Sequence, residues 1–171
     1  TGQVPSHLLG TDAFQESDVI GISMPVTKWN YQITSSKEIP EIISKAFYIA
    51  KSGRPGPVLI DITKDAQFSD LNFKYKRCEK IRSYHPYPIL DENKVSDAAK
   101  LIDKSKKPMI LVGQGVLLSN AEKELIEFSE KSGIPMASTL LGLSAVSCNH
   151  KNYVGYLGMH GNYGPNAVSY T

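Results

Sequence analysis

The sequence has 171 residues, of which 41% are hydrophobic and 21% charged, with a formal net charge of +2. That is the make-up of an ordinary globular protein with room for one domain or parts of two. The charge is too small to argue for a nucleic-acid surface, and no apolar run nears the roughly 18–20 residues that span a bilayer.

Cys78 and Cys148 form no CxxC pair, which points to free thiols in a reducing cytosol. The first residue is Thr1, with no basic or apolar leader behind it, so no signal peptide is expected. Motif-like sequence from the outset and an abrupt stop at Tyr170-Thr171 read as a piece cut from a longer chain.

In chain order, Thr1–Glu16 (TGQVPSHLLGTDAFQE) is broken by Gly2, Pro5 and Gly10 and reads as loop. Thr11 or Asp12 is placed to cap a short helix through Ala13, Phe14 and Gln15. A polar loop with Phe beside Gln suits a ligand site, and a capped helix with a core Phe fits the same residues. Val19–Ser23 reads as a short apolar strand ended by Pro25.

Ser35 and Glu38 have the spacing of a capping box. Behind them Ile39, Ile42, Ile43, Ala46, Phe47 and Ala50 recur at steps of three and four, which predicts a helix with Pro40 tolerated in its first turn. That helix leads into Ser52–Asp65, SGRPGPVLIDITKD. Gly53 suits the positive φ that ends a helix, Pro55 and Pro57 stiffen the turn, and Val58–Ile62 is a buried strand interrupted only by Asp61. Strand, helix and strand make a right-handed βαβ unit.

The carboxyl end of such a strand is where an open parallel sheet presents its chemistry, and Thr63, Lys64 and Asp65 fall there. Arg54 sits in a Gly/Pro turn where backbone can approach a ligand. A plain surface turn with solvated ends accounts for these residues equally well.

Phe68–Pro88 changes character: Lys74, Lys76, Arg77, Lys80 and Arg82 crowd around Glu79, and Pro86 and Pro88 close the stretch. It reads as an interdomain linker and lacks an RRM- or KH-like pattern. From Asp91 the organisation restarts. Asp91 caps a helix whose apolar side is Val95, Ala98, Ala99, Leu101 and Ile102, and Met109–Val112 is a strand followed by Gly113-Gln114-Gly115.

Asn120 is placed to cap a further helix with Leu125, Ile126 and Phe128 inward, stopped by Gly133, and Ile134–Ser138 is the next strand. This is the start of a second α/β domain. The glycine pair lacks a third glycine and its helix is expected to start late, so a Rossmann assignment is weak on these residues alone. Beyond lie Thr139-Leu140-Leu141-Gly142 and the loop Gly155–Pro165, GYLGMHGNYGP. His160 has no second ligand at metal spacing, so no metal site is expected within the chain; Met159 and His160 can pack on a flat aromatic cofactor instead.

Taken together, TGQVP at 1–5, GTDAFQE at 10–16, SGRPGPVLIDITKD at 52–65, GQG at 113–115, ASTLLGL at 137–143 and LGMHG at 157–161 resemble the catalytic large subunit of acetolactate synthase (acetohydroxyacid synthase). The resemblance runs over essentially the whole chain, in order and at natural spacing. It implies an α/β thiamine diphosphate enzyme of three domains. Residues 1–74 would be the C-terminal part of the pyrimidine-binding domain, 75–90 a linker, and 91–171 the N-terminal part of a Rossmann-like central FAD-binding domain with parallel strands.

The reaction implied is decarboxylation of pyruvate on thiamine diphosphate and addition of the hydroxyethyl unit to a second 2-oxo acid, in the biosynthesis of isoleucine, valine and leucine. By match of motif, Gln15 would face the thiamine-bound intermediate, Phe14 would line the substrate entry, and Pro5 and Lys64 would lie on the channel. Arg54, Gly113, Gln114, Gly115, Thr139, Leu140, Leu141, Gly158, Met159 and His160 would contact FAD, held for structure rather than redox.

The resemblance also implies Mg2+ on the diphosphate, with its ligands and an activating glutamate outside this sequence, so the chain alone is expected to be inactive. A homodimer or tetramer, a small regulatory subunit and a bacterial cytoplasmic location are implied as well. Met24 stands where many relatives carry arginine and Trp29 where many carry histidine, and NYGPNAVSYT departs from the usual continuation after LGMHG. Two other readings compete: another thiamine-dependent carboligase or decarboxylase, and a non-catalytic nucleotide-binding or subunit-docking module.

Overall fold

The computed structural model describes residues 1–169; residues 170 and 171, the end of the predicted second domain, lie outside the described residues. The chain forms two units, Thr1–Ile89 and a second from Leu90 onward. Each is built on a three-stranded parallel sheet, in keeping with the α/β class predicted.

In the first unit, β1 (Gly2–Gln3), β2 (Trp29–Ile33) and β3 (Val58–Thr63) lie in the order β1-β3-β2, with Gly2 opposite Ile62 and Trp29 opposite Val58. Helix α2 (Ile39–Lys51) joins β2 to β3 and begins on the predicted capping box, in which the Glu38 carboxylate accepts from the Ser35 N–H at 3.2 Å. Ile33, Ile42 and Ala66 form the core with Trp29, Tyr31, Ile39, Ile60 and Ile62 packed on it. Ile49 is buried on the inner face, whereas Phe47, predicted inward, is exposed.

The exit from α2 follows the predicted turn. Gly53 has φ +59°, and a Cβ there would lie 2.9 Å from the Pro86 carbonyl oxygen, so conformation and space both require glycine. A short helix, α3 (Lys64–Phe68), grows directly from the end of β3.

Three expectations are corrected here. Val19–Ser23 is not a strand but a helix, α1, because the Asp18 carboxylate accepts from the Gly21 N–H at 2.9 Å and caps it. The strand that opens the βαβ unit is β2, whose polar residues find partners inside the unit. The Asn30 amide donates to the Ile20 carbonyl at 2.7 Å and the Ser23 hydroxyl at 2.9 Å, and Gln32 donates to Asp61 at 2.9 Å. Nor do Ala13, Phe14 and Gln15 form a helix: Asp12 at φ +55° and Gln15 at φ +69° are left-handed, which a right-handed turn cannot accommodate.

The stretch from Ser69 to Ile89 has no regular element beyond a bridge between Ile81 and Tyr84. It is nevertheless anchored to the first unit. The Cys78 N–H donates to Ser44 at 2.7 Å, the Tyr84 hydroxyl donates to the Ser52 carbonyl at 3.2 Å, and the Tyr84 ring meets Tyr48 edge-on at 6.2 Å.

In the second unit, β4 (Ile110–Val112), β5 (Met136–Ser138) and β6 (Tyr153–Tyr156) lie in that order. Helix α4 (Glu92–Lys104) starts at Asp91, whose carboxylate accepts from the Asn93 and Lys94 N–H groups at 3.1 and 3.4 Å. Its apolar residues Val95, Leu101 and Ile102 are exposed rather than packed. Helices α5 (Gln114–Ser119), α6 (Glu122–Ser132) and α7 (Tyr163–Ser169) follow.

Helix α5 begins immediately after Gly113, not late as expected. Asn120, at φ +53°, ends α5 in the left-handed conformation instead of capping α6. Gly133 stops α6 at φ +70°, as predicted. Val112, Met136, Ala145 and Val146 form the core, with Ile110, Val116, Leu117, Leu125 and Tyr153 against it. No helix among the described residues is long and apolar enough to cross a membrane.

Candidate functional site

Parallel strands put all their carboxyl ends on one edge, so the chain segments that leave a sheet there become neighbours. In the first unit β1 pairs with the last two residues of β3, Ile62 and Thr63. The segment after β1 therefore meets the start of α3. The Asp65 carboxylate accepts from the Ser6 N–H at 2.9 Å and the Ser6 hydroxyl at 2.5 Å. These bonds, the Ser6 hydroxyl foremost, hold the Asp65 carboxyl well below the usual carboxylate range. Pro5, half-buried, and Lys64, exposed, are the neighbours of this pair along the chain and so stand on the same edge.

Phe14 and Gln15 occupy the turn described above. Its closure comes from Glu16, whose carboxylate accepts from the Gly10 N–H and, at 3.1 Å, from the Ala13 N–H. The Gly10 bond is the main reason that the Glu16 carboxyl lies below its ordinary value. Phe14 is 89% exposed, and the Gln15 side chain is exposed without a hydrogen-bond partner among the described residues. The turn is tied to the sheet through Gln3, which donates to the Ser17 carbonyl at 2.7 Å and to Asp61 at 3.3 Å.

Arg54 stands apart from these residues. It lies in the turn ahead of β3, while Lys64 follows the other end, so the six residues of β3 separate them by about 20 Å. Within the first unit they lie beyond opposite ends of β3. The turn carrying Arg54 is held by Lys28, whose ammonium donates to the Ile49 carbonyl at 2.6 Å and the Ser52 carbonyl at 2.5 Å and lies 5.4 Å from the centre of the Tyr84 ring. A cation there meets the carbonyl end of α2, where the helix dipole favours positive charge.

Sequence reasoning did not single out Gln3, Ser6, Glu16 or Lys28. Asp61 was the available signal: an acid inside an apolar strand asks for partners.

In the second unit three predicted cofactor loops leave the same edge: Gly113, Gln114 and Gly115 after β4, Thr139, Leu140 and Leu141 after β5, and Gly158, Met159 and His160 after β6. Backbone bonds bind the loops to one another. The Thr139 N–H donates to the Val112 carbonyl at 2.9 Å and the Leu157 N–H to the Ser138 carbonyl at 2.9 Å. Gly142 is pressed against β4 so closely that a Cβ would lie 2.1 Å from the Val112 carbonyl oxygen.

The Asn166 amide holds Gly158, at φ +127°, with one bond to its N–H and one from its own N–H to the Gly158 carbonyl, both 2.9 Å. At Gly113, Gly115 and Gly158 a Cβ would meet nothing within 4 Å, so the backbone is open to a ligand. Leu140, Leu141 and Met159 are exposed around it. Open backbone beside exposed apolar side chains suits a flat conjugated group with a polar tail. No group of three or more His, Cys, Asp or Glu among the described residues is placed to hold a metal ion.

Residues 95–169 match the family model described as the thiamine pyrophosphate enzyme, central domain. Over 161 residues, 94% of this chain, the sequence is 45% identical to the acetolactate synthase large subunit of Corynebacterium glutamicum and covers 26% of that protein. It is 46% identical over 164 residues to the probable acetolactate synthase large subunit of Methanococcus aeolicus, covering 94% of this chain and 27% of the relative. The acetolactate synthase large subunit of Haemophilus influenzae is 40% identical over 163 residues, with 94% and 28% covered. The chain thus spans about a quarter of the length of these relatives. It is homologous to a stretch of acetolactate synthase large subunits over 94% of its length, and the central-domain match of the thiamine pyrophosphate enzymes falls in its second unit.

Proposed function

We propose that the chain is a stretch of a longer acetolactate synthase large subunit and supplies part of its substrate channel and part of its flavin site. The complete subunit decarboxylates pyruvate and joins the remaining two-carbon unit to a second 2-oxo acid, a step of branched-chain amino acid biosynthesis. It works in the cytoplasm as a homodimer or tetramer with a small regulatory subunit. The observation that carries this is the identity with large subunits over 94% of the chain.

Thiamine diphosphate, held with Mg2+ by residues outside this sequence, supplies the carbon nucleophile and the electron sink for loss of carbon dioxide. The chain's own residues bind and orient. Residues 1–74 belong to the pyrimidine-binding domain, and there Pro5 and Lys64 form one wall of the substrate channel. The exposed Lys64 ammonium draws in the carboxylate of a 2-oxo acid. Phe14, projecting from its turn, excludes water from the entry. Gln15 offers a neutral amide that orients the reacting group without adding charge to a site where a carboxylate must leave.

Residues 75–90 link to residues 91–171, part of an FAD-binding domain. FAD is a structural ligand here, held by Gly113, Gln114, Gly115, Thr139, Leu140, Leu141, Gly158, Met159 and His160, with Arg54 as a charged contact. Support comes from the open glycine backbone and the exposed Leu140, Leu141 and Met159 on one sheet edge, which fit a flavin nucleotide.

The test is acetolactate formation from pyruvate. The isolated chain should form none. In the complete subunit Gln15→Ala should lower kcat/KM about a hundredfold, as expected for removal of one oriented hydrogen-bond group. Acetolactate made by the isolated chain, or full activity in the Gln15→Ala subunit, would sink the proposal.

A further inference from the structure

Asp61 lies in the middle of β3 and is fully buried. Burying a carboxyl group costs free energy unless its oxygens find donors. Asp61 Oδ2 accepts from Gln32 Nε2 on β2 at 2.9 Å and from Gln3 Nε2 on β1 at 3.3 Å, so one oxygen joins all three strands. Asp61 Oδ1 has no partner among the described residues.

Gln3, also buried, carries the network out of the sheet. Its Oε1 accepts from the Val4 N–H at 2.9 Å, and its amide donates to the Ser17 carbonyl at 2.7 Å, fourteen residues along the chain. That carbonyl also accepts from the Val19 N–H at 2.8 Å, at the head of α1. Ser17 follows directly on Glu16, the residue that closes the turn of Gly10 to Glu16. Both N–H donors and the carbonyl of the Gln3 amide are thus engaged, which leaves its side chain one orientation.

We propose that Asp61 and Gln3 are positioning residues: Asp61 fixes the Gln3 amide, and Gln3 sets where the turn carrying Phe14 and Gln15 stands relative to the carboxyl end of β3. The catalytic consequence rests on the roles proposed above for Phe14 and Gln15; the positioning itself does not.

The experiment compares Gln3→Met with Gln32→Met, each of which removes one donor to Asp61 and keeps side-chain length. Amide hydrogen exchange is followed in this chain, and kcat and KM for pyruvate in the holoenzyme of the complete subunit. In Gln3→Met the Ala13, Glu16 and Val19 amides should exchange about tenfold to a hundredfold faster, the effect of losing one buried hydrogen bond, while the β2–β3 ladder keeps its protection. Gln32→Met should leave residues 10–19 protected as before, although it removes the shorter bond. In the holoenzyme Gln3→Met should lower kcat more than it raises KM, and Gln32→Met should change neither.

Unchanged exchange at residues 10–19 in Gln3→Met overturns the positioning role. So does equal release in the two variants, or loss of protection throughout the first unit in Gln3→Met, since Gln3 would then hold the sheet and not the segment. Release of the segment with kcat and KM both unchanged upholds the positioning and overturns instead the role of Phe14 and Gln15.

Discussion

The two units share a plan and differ in how they finish it. Each has three parallel strands whose carboxyl ends carry candidate site residues. In the first, side chains knit that edge together: Asp61, Gln3, Asp65 with Ser6, and Glu16 with the backbone it closes. In the second, backbone does it, through Thr139 on Val112, Leu157 on Ser138 and a glycine at 142 that admits no side chain. The polar side-chain network suits the placing of a few small groups. The backbone edge leaves a broad open surface with apolar side chains at its rim, which suits one large ligand.

The contrast can be broken by mutation. Gly142→Ala in the second unit should have the largest effect, because the clash is with Val112 backbone and the core strand cannot give way. A loss of about 3 kcal/mol or more is expected in denaturant unfolding of that unit. A tolerated alanine would show that the loops are not locked through close backbone approach.

Asp61→Ala is the counterpart in the first unit. It strands the amides of Gln3 and Gln32, and a loss of about 2–3 kcal/mol should be read by urea denaturation. A neutral result would move the weight of that edge from side chains to strand pairing.

Ser6→Ala sharpens the comparison through pH. Folding depresses the Asp65 carboxyl, so its contribution to stability is present above the ordinary aspartate pKa of about 4 and drains away as pH falls through the folded value. Without the Ser6 hydroxyl, the Asp65 titration followed by NMR should move up toward the ordinary range, and the loss of stability on the acid side should become shallower. An unmoved titration would mean that other groups set it.

The smallest effect belongs to Asn120→Gly. The residue is left-handed at φ +53°, so glycine should raise the melting stability of the second unit by a few tenths of a kcal/mol at about the limit of detection. A clear loss would reveal a role for the Asn120 side chain.

Local chemistry made much of this fold legible in the sequence. The Ser35–Glu38 box, the three- and four-residue steps of α2, the Gly53 turn, the Asp91 cap and the Gly133 stop are all decided by residues within a few positions of one another. What could not be seen depends on distant partners. β1 has two residues and exists because it lies beside Ile62 and Thr63. β2 looks polar until Asn30 and Gln32 are seen to bond inside the unit. Val19–Ser23 has the apolar letters of a strand, yet Asp18 caps it as a helix.

The candidate site divides along the same line. The motifs named its residues along the chain, and strand order sets Ser6, next to Pro5, on Asp65, next to Lys64, and brings three loops of the second unit to one edge. Gln3, Ser6, Glu16 and Lys28 escaped notice because each acts by holding something else, and a holding residue has no signature of its own.

Lys28 has a consequence for the arginine three residues beyond the helix end it clamps. With the Ile49 and Ser52 carbonyls both anchored to one ammonium, the root of the Arg54 side chain cannot wander. The reach of that guanidinium is measured from a lysine, and loosening the lysine would let the whole arm drift without altering a single atom of the hand.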